Sequence, residues 1–341
     1  MSQEPADISK HLDAIAFAPD GGLVLSASSL TNRSWTGSLW YFNNPDAAPD
    51  VEQVTSGSVA DSGISDVVVM SDNRAITASD SGAVSLWQLE DPNKTVLCKA
   101  YSVGHDDIVT SVSVTADTGK VISSSQDYSV LVWDLEIFVP TQTYRGKSSH
   151  YDIVKCVCCH PNHSSMFISA GQDGRLLLWD LRQSKPATLL DTVELSSNPT
   201  WVAWQPVEEH SIVTGTETGE LVMQDLRNSA KMPISVHVHS RSITKLKFAC
   251  HNFRDRLHND FVTGIDWQPK DNWLFSCGWD FKVNSREVTE MENLSSPLAT
   301  MAINETVKKS PTVSEPMDDA PQWNGYTTEL QANGSMNETD S

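Results

Sequence analysis

Ser38-Leu39-Trp40, Ser85-Leu86-Trp87, Leu131-Val132-Trp133-Asp134 and Leu178-Trp179-Asp180 are one ending written four times, with Trp at 40, 87, 133 and 179. The steps are 47, 46 and 46 residues. Self-similarity at that period, closed by Trp-Asp, reads as four-stranded propeller blades. Period-2 alternation between Gly, Asp and Asn turns predicts the strands themselves. In the third unit these are Ile108–Val114, Val121–Ser125 and Ser129–Leu135; in the fourth they are Ile153–Cys159, Phe167–Ala170 and Arg175–Leu181. A fixed period makes the 341 residues one large repeat domain rather than two ordinary ones. The expected class is all-β.

Working outward, the first strand of several units ends in a shared turn: Phe17-Ala18-Pro19, Cys159-His160-Pro161, Trp204-Gln205-Pro206 and Trp267-Gln268-Pro269. Pro closes a strand where no ladder hydrogen bond is needed. The fifth unit, Trp201–Leu226, replaces the closing Trp-Asp by Gln224-Asp225, and Gly278-Trp279-Asp280 marks the last unit, with Asp280 in its turn. The period fails once. His150 to His239 is 89 residues, two units, but His258 follows only 19 later, and Pro206 to Pro269 is 63 where two units need about 90. The expected propeller, residues 11–288, is therefore nominally seven-bladed with a truncated sixth blade near 248–258, of which Ser242–Phe248 is the first strand. Either the blade is shortened or the transcript has lost an exon, and a shortened blade is expected to leave strand edges unpaired. Residues 1–10 are a short polar stretch, expected to be flexible. Residues 289–341 carry nine acidic residues against Lys308 and Lys309 and bury too little apolar surface to offset their ordering entropy, which predicts an acidic, disordered tail.

Composition narrows the function. There is no run of about 18 apolar residues to span a membrane and no apolar segment at the N-terminus to act as a secretory signal. Six cysteines without a disulfide framework suit a reducing compartment. A formal net charge of −20 repels nucleic acid and anionic lipid and attracts basic partners, although acidity also serves plain solubility. No glycine-rich phosphate loop or basic-aromatic stripe is present. Neither cofactor nor metal is predicted.

Three constellations merit a reading. His105, Ser123 and Asp127 look like a catalytic triad, but His150, Ser169 and Asp173 repeat the set one unit later, each beside its own Trp133 or Trp179. A triad needs one nucleophile in one cleft, not a copy per repeat. Cys156-Val157-Cys158-Cys159-His160-Pro161-Asn162-His163 looks like a metal cluster. Along a strand, however, Cys156 and Cys158 point one way and Cys159 the other, so these read as core cysteines. The first unit has, in place of a tight turn, the loop Ser28–Gly37 with Arg33, Ser34 and Trp35. Trp and Arg on a projecting loop are the residue types of interface hot spots, so Arg33, Ser34 and Trp35 are the expected partner-binding residues.

That loop resembles a known family. Ala27-Ser28-Ser29-Leu30 and Arg33 through Trp40, followed by Asp46-Ala47-Ala48-Pro49, look like the WD-repeat subunit of the methylosome. The likeness continues through Ala78–Val84, Leu86-Trp87, His105–Val109 and Val112–Val114 to Gly278-Trp279-Asp280, covering about residues 12–288. WD-repeat membership implies that His105, Ser123, Asp127 and Trp133, with His150, Ser169, Asp173 and Trp179, form structural networks. The methylosome resemblance implies a non-catalytic scaffold that hetero-oligomerises with the type II protein arginine methyltransferase. Its Arg33–Trp35 loop would insert into that enzyme's N-terminal barrel, and the scaffold would help present arginine-rich proteins such as Sm proteins and histones in cytoplasm and nucleus. No direct nucleic-acid or membrane contact is implied. Trp179-Asp180-Leu181-Arg182, echoed by Gln224-Asp225-Leu226-Arg227, resembles instead the docking box of cullin-type ubiquitin-ligase receptors, the alternative reading.

Overall fold

Among the described residues of the computed structural model, strands account for all the regular structure except two 3-10 turns, Pro45–Ala47 and Val51–Gln53. It describes residues 11–303 apart from 32–33, 91–94, 147, 187, 191–196, 206–208, 228–232, 249–252, 255–257, 269–272 and 288–300. Blade 1 is the meander β1 (His11–Phe17), β2 (Leu23–Thr31), β3 (Ser34–Phe42) and β4 (Ser56–Ala60), and blade 2 is β5 (Ile64–Val69), β6 (Arg74–Ser79), β7 (Ala83–Glu90) and β8 (Thr95–Val103). Blade 3 runs β9 (Val109–Val114), β10 (Lys120–Ser125), β11 (Val130–Asp134), β12 (Val139–Tyr144). Blade 4 is β13 (Val154–Cys159), β14 (Met166–Gly171), β15 (Leu176–Asp180), β16 (Thr188–Leu190). Blade 5 is β17 (Pro199–Trp204), β18 (Ser211–Thr216), β19 (Glu220–Asp225), β20 (Ile234–His237). After β21 (Leu246–Phe248) and β22 (Phe253–Arg254), the last blade is β23 (Val262–Trp267), β24 (Trp273–Gly278) and β25 (Lys282–Glu287).

The ladder tryptophans explain why the blades pack. Each stands opposite an apolar residue of its blade's second strand, in the pairs Trp40–Leu25, Trp87–Ala75, Trp133–Val121 and Trp179–Phe167. All four indoles are buried, and Trp179 stacks on Phe167 with centroids 5.7 Å apart. The cores lie between sheets: one apolar cluster joins Leu12, Leu25 and Trp40 of blade 1 to Phe275 and Cys277 of the last blade. Removing any one such indole should cost about 3–5 kcal/mol.

The inner strands follow one another round the ring as β1, β5, β9, β13, β17, β21 and β23, and β23 packs against β1. In six of them the register skips one residue, a β-bulge that re-aims the side chain of Asp13, Ser65, Thr110, Lys155, Thr200 or Thr263. The hydroxyls so aimed stitch the ring. Ser65 Oγ donates to Val109 O, Thr110 Oγ1 to Val154 O (2.6 Å), Thr200 Oγ1 to Ile243 O (2.6 Å) and Thr263 Oγ1 to Leu12 O (2.5 Å).

The truncated sixth blade keeps its place in this circuit. Thr244 Oγ1 donates to Val262 O at 2.7 Å. Lys245 Nζ reaches the buried carboxylate of Asp66, and Lys247 Nζ lies 3.1 Å from Asp266, which also accepts Phe17 N at 2.9 Å. One inner strand thus bridges blade 5 to the last blade. The unpaired edge expected of a short blade is partly covered: β26 (Met301–Ile303) pairs antiparallel with β21 and parallel with β22. Those three residues come from the stretch expected to be disordered; the remainder of 289–341, and residues 1–10, lie outside the described residues.

Candidate docking face and channel mouth

The turns between second and third strands gather on the face where the inner strands begin. In blade 3, Trp133 Nε1 donates to Ser123 Oγ at 2.8 Å, Ser123 Oγ lies 2.7 Å from His105 Nε2, and His105 Nδ1 lies 3.2 Å from Asp127 Oδ2. Blade 4 repeats this through Trp179, Ser169, His150 and Asp173, at 2.7, 2.7 and 2.9 Å. The last blade has a third set, His258, Ser276 and Asp280, with Asn284 Nδ2 3.0 Å from His258 Nε2. Burial works against the charge on Asp127. Hydrogen bonds from His105, Ser129 and the Asp106 amide outweigh it and hold the carboxyl well below its ordinary range. Asp173 is held down in the same way, by His150 and the amides of Tyr151 and Arg175. These sets are closed: His105, Ser123, His150 and Ser169 are all buried, and each serine is shared with an indole.

Ser28–Gly37, expected as a loop, is a β-hairpin instead. β2 and β3 stay paired through Ser28–Gly37, Ser29–Thr36, Leu30–Trp35 and Thr31–Ser34, so the hairpin outruns those of the other blades. Gly37 makes this possible, because a Cβ there would stand 2.2 Å from Ser62 O. Leu30 is 61% and Trp35 39% exposed near its end. Trp35 is not wholly free: its ring lies 5.6 Å from that of His11, which is also 5.0 Å from Trp279. Ser34 sits in β3 opposite Thr31, and Arg33 lies outside the described residues.

Beside this hairpin the ring opens in a cavity of about 450 Å³, walled by Asp13, Asp80, Glu217, Trp35, Trp201 and Trp279 among others. Trp279 Nε1 donates to Asp13 Oδ1 at 3.3 Å, while Asp13 Oδ2 is buried without a hydrogen-bond partner. Burial pushes the Asp13 carboxyl up to about 7, against the pull of Ser28 and Trp279 and helped by the charge of Asp80. Burial raises Asp80 as well. Sequence reasoning passed over this group, because Asp13 and Trp279 meet only on ring closure. A partial signal was available in the 45-residue spacing of Ser65, Thr110, Lys155 and Thr200, although Asp13 stands 52 residues before Ser65 and so off that interval.

The cysteines sit as strand alternation requires. Cys156 is buried between blades 4 and 5 with Cys158 packed against that cluster, while Cys159 joins the core toward blade 3. Burial raises all three thiols, and a thiolate is what a metal would need. His160, His163 and Glu209 do approach one another. Both ring nitrogens of His160 are nevertheless committed, Nε2 to Glu209 O at 2.9 Å and Nδ1 to the amides of Asn162 and His163 at 3.0 and 3.1 Å. The trio works as a latch between two blades. In the Trp-Asp-x-Arg box, Arg182 folds back on Asp180 through Nε (2.9 Å) and Nη2 (2.6 Å), and Arg227 does the same with Asp225.

The family model described as WD domain, G-beta repeat matches residues 97–134, 138–180 and 251–284. These spans include the strands of blade 3, the first three strands of blade 4 and much of the last blade. Methylosome protein WDR77 of Xenopus laevis is 35% identical over 322 residues, a match covering 87% of this chain and 96% of that protein. The likeness therefore covers most of the chain, crosses the shortened blade, and is not confined to the generic repeat. With Trp-closed blades in register round a ring, and identity of that extent, the chain belongs to the family of methylosome WD-repeat subunits.

Proposed function

We propose that the protein is a non-catalytic scaffold of an arginine methyltransferase complex, a hetero-oligomer in which the end of the β2–β3 hairpin docks the type II enzyme. The observation that carries this is the hairpin itself, which holds Leu30 and Trp35 partly in solvent on strands longer than any other blade's second and third. An indole half-supported by His11 is pre-positioned, so little side-chain entropy is lost when a partner covers it. The charge of −20 steers cationic proteins toward the complex, which suits arginine-rich substrates such as Sm proteins and histones. A role without chemistry fits the His–Ser–Asp sets, whose serines are buried and shared with tryptophans. The free thiols among the described residues, Cys98, Cys156, Cys158, Cys159 and Cys277, accord with work in cytoplasm and nucleus.

Co-precipitation with the type II methyltransferase tests the reading. Trp35→Ala should weaken capture by roughly 30-fold or more, the scale of an interface hot spot, and Arg182→Ala should leave it unchanged. The opposite pattern would refute the scaffold and favour the ubiquitin-ligase receptor.

A further inference from the structure

The bulge residues of the inner strands look into the channel mouth, and most of them spend a hydroxyl on the next blade's carbonyl. Asp13 carries a carboxyl group where those residues carry a hydroxyl. Blade 1 thus places at its bulge an acid whose Oδ1 accepts from Trp279 of the last blade and whose Oδ2 is buried and unpartnered. Asp80, from the β6–β7 turn, lines the same cavity, its carboxylate lying where a Cβ on Gly63 would come within 2.2 Å. Two tryptophans line the cavity with the acids: Trp279, 40% exposed, and Trp35, 39% exposed, each in ring contact with His11. The cationic wall residues come from other blades. Lys245 is committed to Asp66, and Lys155 belongs to blade 4, so the blade 1 and 2 side is acidic. A cavity of about 450 Å³ is ample for one long side chain.

We propose that the acidic, tryptophan-flanked side of the channel mouth binds the guanidinium of one arginine in an extended, arginine-rich peptide. A guanidinium presents a planar fork to carboxylates and stacks on indoles, where an ammonium offers a point charge. Ion pairing there would return Asp13 to its charged form, so binding releases a proton near neutral pH, and it would offset the burial that raises Asp80. Glu217, Lys155, Lys245 and His11 are the other titratable groups facing this space or its tryptophans. The scaffold reading supplies only the source of the peptide; the pocket itself stands without the enzyme.

The test titrates the full chain, without methyltransferase, with an acetylated and amidated Gly-Arg-Gly peptide and its lysine and citrulline counterparts, following indole N–H resonances. Saturable arginine binding should shift Trp279, weaken at least tenfold in Asp13→Asn and in Asp80→Asn, and stay unchanged in Asp61→Asn, an exposed acid outside the cavity. Affinity of the unaltered chain should fall several-fold from pH 8 to pH 6. Trp279→Phe, which keeps an aromatic face but loses the indole and its N–H, should weaken binding less than either acid variant. Equal binding of the citrulline or lysine peptide, no arginine binding at millimolar concentration, or wild-type affinity in both acid variants would overturn the proposal. Retained enzyme capture by Asp13→Asn, with peptide binding lost, would separate this pocket from the docking hairpin.

Discussion

Ser123→Ala should destabilise the protein more than Thr77→Val, although each removes one buried hydroxyl from the same place in its blade. Ser123 Oγ accepts the Trp133 indole N–H at 2.8 Å and lies 2.7 Å from His105 Nε2, so its loss orphans two buried polar atoms. Thr77 Oγ1 accepts the Trp87 indole N–H at 2.8 Å, and blade 2 has no histidine in the set, so Thr77→Val orphans one. A buried polar atom stripped of its partner costs about 1–3 kcal/mol. Ser123→Ala should then cost about 2–6 kcal/mol and Thr77→Val about 1–3, with little packing change in either. Ser169→Ala should match Ser123→Ala, because its partners stand at 2.7 and 2.7 Å. Equilibrium urea unfolding followed by circular dichroism measures all three. If Ser123→Ala and Ser169→Ala unfold no more easily than Thr77→Val, the histidines do not draw on these hydroxyls and the networks are not structural.

The Asp13 carboxyl is pushed up to about 7, so between about pH 4 and pH 7 the folded chain holds a proton that the unfolded chain has released. Stability from this residue therefore falls as pH rises through that window. Asp13→Asn should leave stability unchanged below pH 4 and raise it by up to about 4 kcal/mol at pH 8, from roughly three pH units at 1.36 kcal/mol each; parallel stability–pH curves would contradict this. Lys245→Met should cost about 3–5 kcal/mol by stranding the buried Asp66 carboxylate without its cation. Adding Asp66→Asn, which keeps an acceptor for the Val112 amide, should recover part of that loss, and strict additivity in the double variant would argue against the pair.

Much of the fold was legible because a blade is made of consecutive strands. The Trp period, the His-to-Asp spacing and the Pro turns are all local, so each recurs in the sequence at the interval at which the strands recur in space. The short sixth blade was legible for the same reason, as an arithmetic gap between His239 and His258. The Ser28–Gly37 hairpin reads as a loop in sequence because Ser, Thr and Asn dominate it. Pairing between β2 and β3, with room provided by Gly37 against Ser62, overrides that composition.

By itself the sequence determined an all-β ring of Trp-closed blades, the closed histidine networks, and a tryptophan standing off the grid at Trp35. Tertiary structure alone decided what those parts enclose. Trp279 meets Asp13 across 266 residues and Asp266 meets Phe17 across 249, contacts with no local pattern because they exist only once the ring has closed. The bulges that turn Asp13 inward are register shifts between paired strands, which a single strand's sequence does not encode. A charge becomes costly, and therefore informative, only when the surrounding chain has removed its water.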